Sequence, residues 1–136
     1  MMYLTKIIAP ILVTVSGFAF FSSNNKSDCL KHLGGGYGYA QCYQVSRINF
    51  IKENEIIYKS ILKSIPHGNF HARLLDEYMN SQSHAEKFCE LQRDAGAKWE
   101  KSSDGTMYPA VYEGCLYELR KAQNSFLKNI LEMSKW

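Results

Sequence analysis

Three sets of side chains in this chain have types and spacings that chemistry can use: four cysteines, a histidine pair and a ladder of carboxylates. Cys29, Cys42, Cys89 and Cys115 offer either two disulfides or one tetrahedral zinc site. Zinc-finger cysteines come in close pairs, and no two of these lie within four residues of each other, so disulfides are expected. His67 and His71 have the i, i+4 spacing of a helical metal pair, but Pro66 and Gly68 put His67 outside a helix. No HExxH half accompanies them, and neither a metal nor a cofactor is expected. Glu86, Glu90 and Asp94 step by four along one helix face. Two carboxylates flanking a cleft can hydrolyse glycosides. With Lys87 and Arg93 beside them, a solvated face with local ion pairs is the plainer expectation. No serine sits in a GxSxG elbow, and the glycine run Gly34 to Tyr39 lacks the GK[ST] of a phosphate loop. No catalytic set emerges, and an enzyme is not expected.

The elements that must position these residues begin after an apolar run. Lys6 precedes Ile7–Phe21, which carries no charge. As a helix it would be about 22 Å long, short for a bilayer core of roughly 30 Å but suited to a signal peptide. Gly17 and Ala19 occupy the −3 and −1 positions for cleavage before Phe20. Residues 1–19 are therefore expected to be a signal peptide, leaving no stable membrane span and delivering the chain to the periplasm or the exterior. That compartment favours disulfides. The whole chain has 136 residues with 16 basic and 13 acidic ones; losing Lys6 with residues 1–19 leaves 117 residues and a formal charge of +2. So small a charge, with no basic tract, argues against nucleic acid as a partner.

Residues 20–38 read as a polar leader followed by a glycine-rich loop, and 39–136 as one helical domain. Ala40 to Ile65 contains no Gly or Pro, and Val45, Ile48, Ile51, Tyr58, Leu62 and Ile65 follow helical steps, with Phe50, Ile57 and Ile61 broadening the stripe. Pro66, His67 and Gly68 break the chain, and Asn69 can cap a second helix reaching about Trp99. Its expected inner face is Leu74, Leu75, Tyr78, Ala85, Phe88, Cys89 and Gln92, with Ser81 and Ala85 small enough to admit a close neighbour. After a break over Lys101 to Gly105, Thr106 can cap a third helix. Its apolar period runs through Tyr108, Val111, Tyr112, Cys115, Leu119, Ala122, Phe126, Ile130 and Met133. The fold expected is all-α: a disulfide-stapled three-helix bundle or helical hairpin.

Three connectivities are open to four cysteines. Cys89 lies 13 residues before Ser102 and Cys115 lies 13 after it, so a hairpin turning there brings them level. This pairs Cys89 with Cys115 and, by elimination, Cys29 with Cys42.

The run GTMYPAVYEGCLYEL, Gly105 to Leu119, resembles the signature segment of the LprI-type lysozyme-inhibitor domain. Cys29 and Cys42 resemble its N-terminal cysteines, Glu55 to Leu62 its LNxxYxxL helix with Tyr58 as the tyrosine, and Cys89 its third cysteine. The chain departs from the family at Tyr78, Ser81, Ala85 and Glu86, where a Gln, a Trp and an Arg-Asp pair are usual. It departs again at Gln123, where an Arg is usual.

The resemblance implies a secreted or periplasmic protein that binds and blocks a lysozyme-like cell-wall hydrolase, as a host-lysozyme inhibitor or an immunity protein against a muralytic toxin. Such a protein would insert a rigid loop into the hydrolase cleft, its basic or hydroxyl groups meeting the catalytic acids and its aromatics filling sugar subsites. The preferred loop carries Lys98, Lys101, Ser102, Ser103 and Asp104; the other carries Tyr37 and Tyr39. The alternative is an envelope assembly or structural binding protein without inhibitory activity.

Overall fold

The structure is a computed structural model that describes Cys29, residues 35–100 and residues 107–136. The expected signal peptide and most of the leader lie outside the described residues. Helix α1 spans Gly35–Ser64, α2 His71–Ala85, α3 Cys89–Gly96 and α4 Met107–Met133, with a 3₁₀ turn at Glu86–Phe88 between α2 and α3. Among the described residues there is no strand, and no helix is long and apolar enough to cross a membrane. The all-α, disulfide-stapled bundle is the fold that the periodicity predicts.

Side-chain pairings set the topology. Arg47 meets Glu113, Asn54 meets Gln123 and Glu53 meets Lys128, so α1 and α4 run parallel. Tyr58 meets Asp76, while Tyr78 meets Phe126, Glu86 meets Arg120 and Cys89 meets Cys115, so the α2–α3 arm descends between them. The bundle is up, down, up.

Its centre is polar. Asn54, Gln123 and Asn124 are among the most buried side chains, Asn54 being 1% exposed. Asn54 Nδ2 donates to the Arg120 carbonyl and to Gln123 Oε1, each at 3.1 Å, and Asn124 Nδ2 donates to Asn54 Oδ1 at 2.8 Å. Arg120 Nη1 donates to Gln123 Oε1 at 2.7 Å, and its Nε and Nη2 donate to Glu86 Oε1 at 3.0 and 2.7 Å. Gln123 Nε2 reaches Met79 Sδ at 3.3 Å. Below this network, Ile57, Ile61, Leu75 and Leu127 form the apolar core, flanked by Tyr58, Ile65, Tyr78, Met79, Ile130 and Leu131.

That centre corrects the expected inner faces. On α1 the inward residues include Ser46, Asn54, Ile57 and Ile61, whereas Val45, Ile48, Ile51 and Leu62 are exposed. On α4 they are Ala110, Leu116, Tyr117, Gln123, Asn124 and Leu127, whereas Phe126 and Met133 face out. Leu74, Phe88 and Gln92 on the descending arm are exposed too. Apolar periodicity locates a core only where the core is apolar, and here carboxamides occupy the facing positions.

Two element boundaries also differ. The first helix starts at Gly35, not near Ala40, so the expected glycine-rich loop is helical from Gly35 onward, Gly34 lying outside the described residues. Gly35 enters at φ +70°, a conformation open to glycine at little cost. Extending an existing helix adds a backbone hydrogen bond per residue, which offsets the roughly 1 kcal/mol disadvantage of each glycine. The second helix ends at Gly96, not Trp99, and tightens at Glu86–Phe88. At about three residues per turn instead of 3.6, that tightening rotates the residues downstream of it, and Cys89 is buried while Phe88 is exposed. Asn69 does cap: its Oδ1 accepts the His71 amide at 3.0 Å.

Asn54→Ala leaves Gln123 and Asn124 short of partners in a buried setting. It is expected to cost about 3 kcal/mol, read as a shift in the urea midpoint by circular dichroism. Asn80→Ala, on an exposed face, is the control; equal losses for the two would refute the network's importance.

Candidate functional site

Parallel α1 and α4 place their N-terminal ends side by side, and both disulfides gather there. Cys29–Cys42 and Cys89–Cys115 form as expected, with Cα separations of 5.4 and 5.6 Å. All four thiols are thereby consumed, which leaves none for a zinc site. Buried Ser46 directs its hydroxyl to Cys29 Sγ at 3.9 Å. The Tyr43 ring lies over Gly114, where an added Cβ would sit 3.5 Å from it. Tyr117 lies 5.4 Å from Tyr43 and 5.7 Å from Phe50, between ring centroids. Arg47 and Glu113, both largely buried, close an ion pair at 3.1 Å. On α3, Arg93 bridges Asp94 at 2.7 Å and lies 5.4 Å from the Tyr112 ring centroid.

Between the start of α1, α3 and the start of α4 runs a groove of about 710 Å³, whose lining includes Tyr39, Tyr43, Gln92, Met107, Val111 and Glu118. Beyond α3 the chain turns sharply. Lys98 and Trp99 have φ of +54° and +69°, a left-handed conformation costing about 1 kcal/mol or more apiece for residues with a Cβ. The turn is held because the Trp99 amide donates to the Asp94 carbonyl at 2.6 Å and the Lys98 amide to the Ala95 carbonyl at 3.1 Å. Ala97 is buried beneath, and Trp99 stands 68% exposed.

The structure thus places at one end of the bundle side chains that are far apart in the sequence. Tyr37 lies in the first turn of α1, Tyr39 lines the groove, and Lys98 sits on the strained turn that follows α3, with Gly96 lying against Tyr108 of α4. Lys101, Ser102, Ser103 and Asp104 lie outside the described residues. Trp99 and Met107 stand exposed at the same end and are not among the residues expected there. The sequence signal for Trp99 is an aromatic that follows Gly96-Ala97-Lys98, where a helix-stopping glycine precedes a Lys/Ser-rich turn.

Other expectations resolve individually. Glu86 does not sit on a solvated ladder: its carboxylate is committed to Arg120 across the bundle. His67 lies in the turn, and His71 starts α2 with its ring Nδ1 2.7 Å from Asn69 Oδ1. Among the described residues no cluster of His, Cys, Asp and Glu could hold a metal. Comparison with protein-family models, curated proteins and solved structures finds no match. The functional reading therefore rests on the geometry of this end.

Burial pushes the Tyr117 phenol above its ordinary range, with the Glu118 carboxylate and Tyr43 adding to the effect. Burial also raises Tyr78, against the opposing charge of Arg120. A phenol raised on folding supports the native state fully below its unfolded pKa of about 10, and that support is lost as pH climbs through the folded value. Urea stability is accordingly expected to hold to about pH 9 and to fall above 10. Tyr117→Phe should flatten the alkaline decline. An unchanged decline in that variant would show that Tyr117 does not cause it.

Proposed function

We propose that this protein is a secreted or periplasmic binding protein that blocks a lysozyme-like peptidoglycan hydrolase. The observation that carries the reading is the presence of Tyr37, Tyr39, Lys98 and Trp99 at the same end of the bundle, the end that both disulfides brace. Hydrolase clefts present carboxylates among sugar subsites, and an ammonium beside exposed aromatics complements both. Lys98 meets the acids, while Trp99 and the tyrosines occupy the subsites. Backbone hydrogen bonds from Trp99 to Asp94 and from Lys98 to Ala95 hold the turn in one shape against its strain, which lowers the entropy lost on association. The disulfides support an oxidising compartment, and the signal-like N-terminus supports the periplasm or the exterior within this reading. In this reading Glu86 is structural and the protein performs no catalysis of its own. A second reading, an envelope assembly factor, draws support from an open apolar groove at the opposite end of the bundle.

The test is capture and inhibition with the oxidised protein, using animal and phage-type lysozymes and bacterial muralytic toxins. Stoichiometric capture with loss of hydrolase activity is expected. Trp99→Ala, at an exposed site, should leave the melting temperature unchanged and weaken binding by about 2 kcal/mol or more, as buried aromatic anchors do. Binding unaffected by both Trp99→Ala and Lys98→Ala would move the site elsewhere. Failure to capture any hydrolase would end the inhibitor reading.

A further inference from the structure

The two disulfides carry different loads. Cys29–Cys42 ties the start of the described chain to α1, a helix whose place the Asn54 network already fixes. Cys89–Cys115 does more, because α3 has little else to hold it. Cys89 is the one buried residue of α3, at 0% exposure, while Phe88 just before it, Leu91 and Gln92 face solvent. A helix of eight residues is too short to stand on its own hydrogen bonds, and this one lacks the buried apolar face by which tertiary packing holds such helices. Its further ties to α4 are weaker. The Arg93 guanidinium lies 5.4 Å from the Tyr112 ring centroid, and a Cβ added to Gly96 would sit 3.9 Å from Tyr108. A cation over an exposed ring contributes only about 0.5–1 kcal/mol. Just upstream the arm is held firmly, with Glu86 on Arg120 at 2.7 Å.

We propose that Cys89–Cys115 is a redox latch, which a dithiol reductant opens in the folded protein so that α3 and the Lys98–Trp99 turn come off α4. Cys115 lines the groove between the start of α1, α3 and the start of α4, which gives a thiol a way in. A thiolate of the dithiol attacks Cys115 Sγ, the S–S bond breaks, and Cys89 leaves as a thiolate that takes up a proton. The second thiolate of the reductant then displaces Cys115, which is protonated in turn. Two electrons have passed to the protein, leaving two cysteine thiols and one oxidised dithiol. The hinge is the 3₁₀ turn Glu86–Phe88: Arg120 anchors its first residue, and no residue of the turn is buried. Lys98 and Trp99 are kept left-handed by bonds to the Ala95 and Asp94 carbonyls of α3 itself, so a loosened α3 lets the turn relax. The Asn54–Gln123–Asn124 network and the apolar core lie on the other side of the hinge and stay in place. The latch governs the shape of the stapled end, whatever that end binds.

The test is reduction of the oxidised protein with dithiothreitol under native conditions, then alkylation with N-ethylmaleimide and mapping of the labelled cysteines by mass spectrometry. Cys89 and Cys115 are expected to be labelled while circular dichroism still shows a folded bundle. Hydrogen exchange over residues 89–99 is then expected to quicken at least about tenfold, with the amides around Asn54 and Gln123 unchanged. A double variant, Cys89→Ser with Cys115→Ser, should show the same exchange pattern without reductant. Cys29→Ser with Cys42→Ser should leave residues 89–99 protected. Labelling of Cys89 and Cys115 only as the bundle unfolds overturns the proposal. So does an opened form, reduced or serine-substituted, whose residues 89–99 exchange as slowly as in the oxidised protein. Loss of the whole fold in the first double variant overturns it too, since the disulfide would then brace the entire bundle.

Discussion

The bond network joining Asn54, Gln123, Asn124, Arg120 and Glu86 is the constraint on which the bundle depends. Parallel helices such as α1 and α4 cannot be joined by a short turn, so connectivity does not set their register; the descending arm intervenes. Apolar packing alone tolerates sliding by a turn. Carboxamides do not, because each displaced donor or acceptor would be buried without a partner at a cost of about 1–3 kcal/mol. Here every buried side-chain polar atom of the described residues is partnered. The network uses both groups of the Asn54 amide and recruits a backbone carbonyl of α4, so translation and rotation are fixed together. Polar residues in helical cores serve this register-setting role at some cost in stability. Arg120 extends the lock to the third element through Glu86, at the point where α2 tightens into its 3₁₀ turn.

Once that register is set, the ends diverge in character. Level N-termini of α1 and α4 are what bring both disulfides to one end and let Tyr39 and Tyr43 of α1 share a groove with Met107. On this side the chain is braced covalently, by aromatic stacking and by the Arg47–Glu113 pair. On the far side a small apolar cluster and the Tyr58–Asp76 hydrogen bond, 2.5 Å long, hold α2 in place. A turn held in a left-handed conformation needs stiff flanks, and the braced end supplies them. α1 alone spans about 45 Å at 1.5 Å per residue, so the two ends are well separated.

Much of this architecture is legible in the sequence, and the parts that are not share one cause. Helical period, the Pro66–Gly68 break, the Asn69 cap and equal spacing about Ser102 lead to the helices and to both disulfides. Those signals are local or depend on hairpin symmetry. Periodicity misassigns the faces because it counts Val45, Ile48, Phe126 and Met133 inward and passes over Asn54, Gln123 and Asn124. Residue type alone cannot mark an asparagine as buried, since the decision rests on a partner about seventy positions away. Glu86 is the same case: its sequence neighbours suggest a solvated ladder, and Arg120 claims it from α4. At the stapled end, Tyr37, Tyr39 and Lys98 are identifiable by type, but their placement at the same end is not, because nothing local says that α1 and α4 run parallel.

Arg120 gives the lock its reach. Its guanidinium donates to Gln123 Oε1 and to Glu86 Oε1, so one side chain ties the carboxamides joining α1 and α4 to the descending arm. Glu86 stands at the start of the 3₁₀ segment that presents it. Ser81, earlier on α2, lines the open groove between α2 and α4. A small side chain is tolerable at that position because the polar lock, and not packing at Ser81, fixes the register of the two helices.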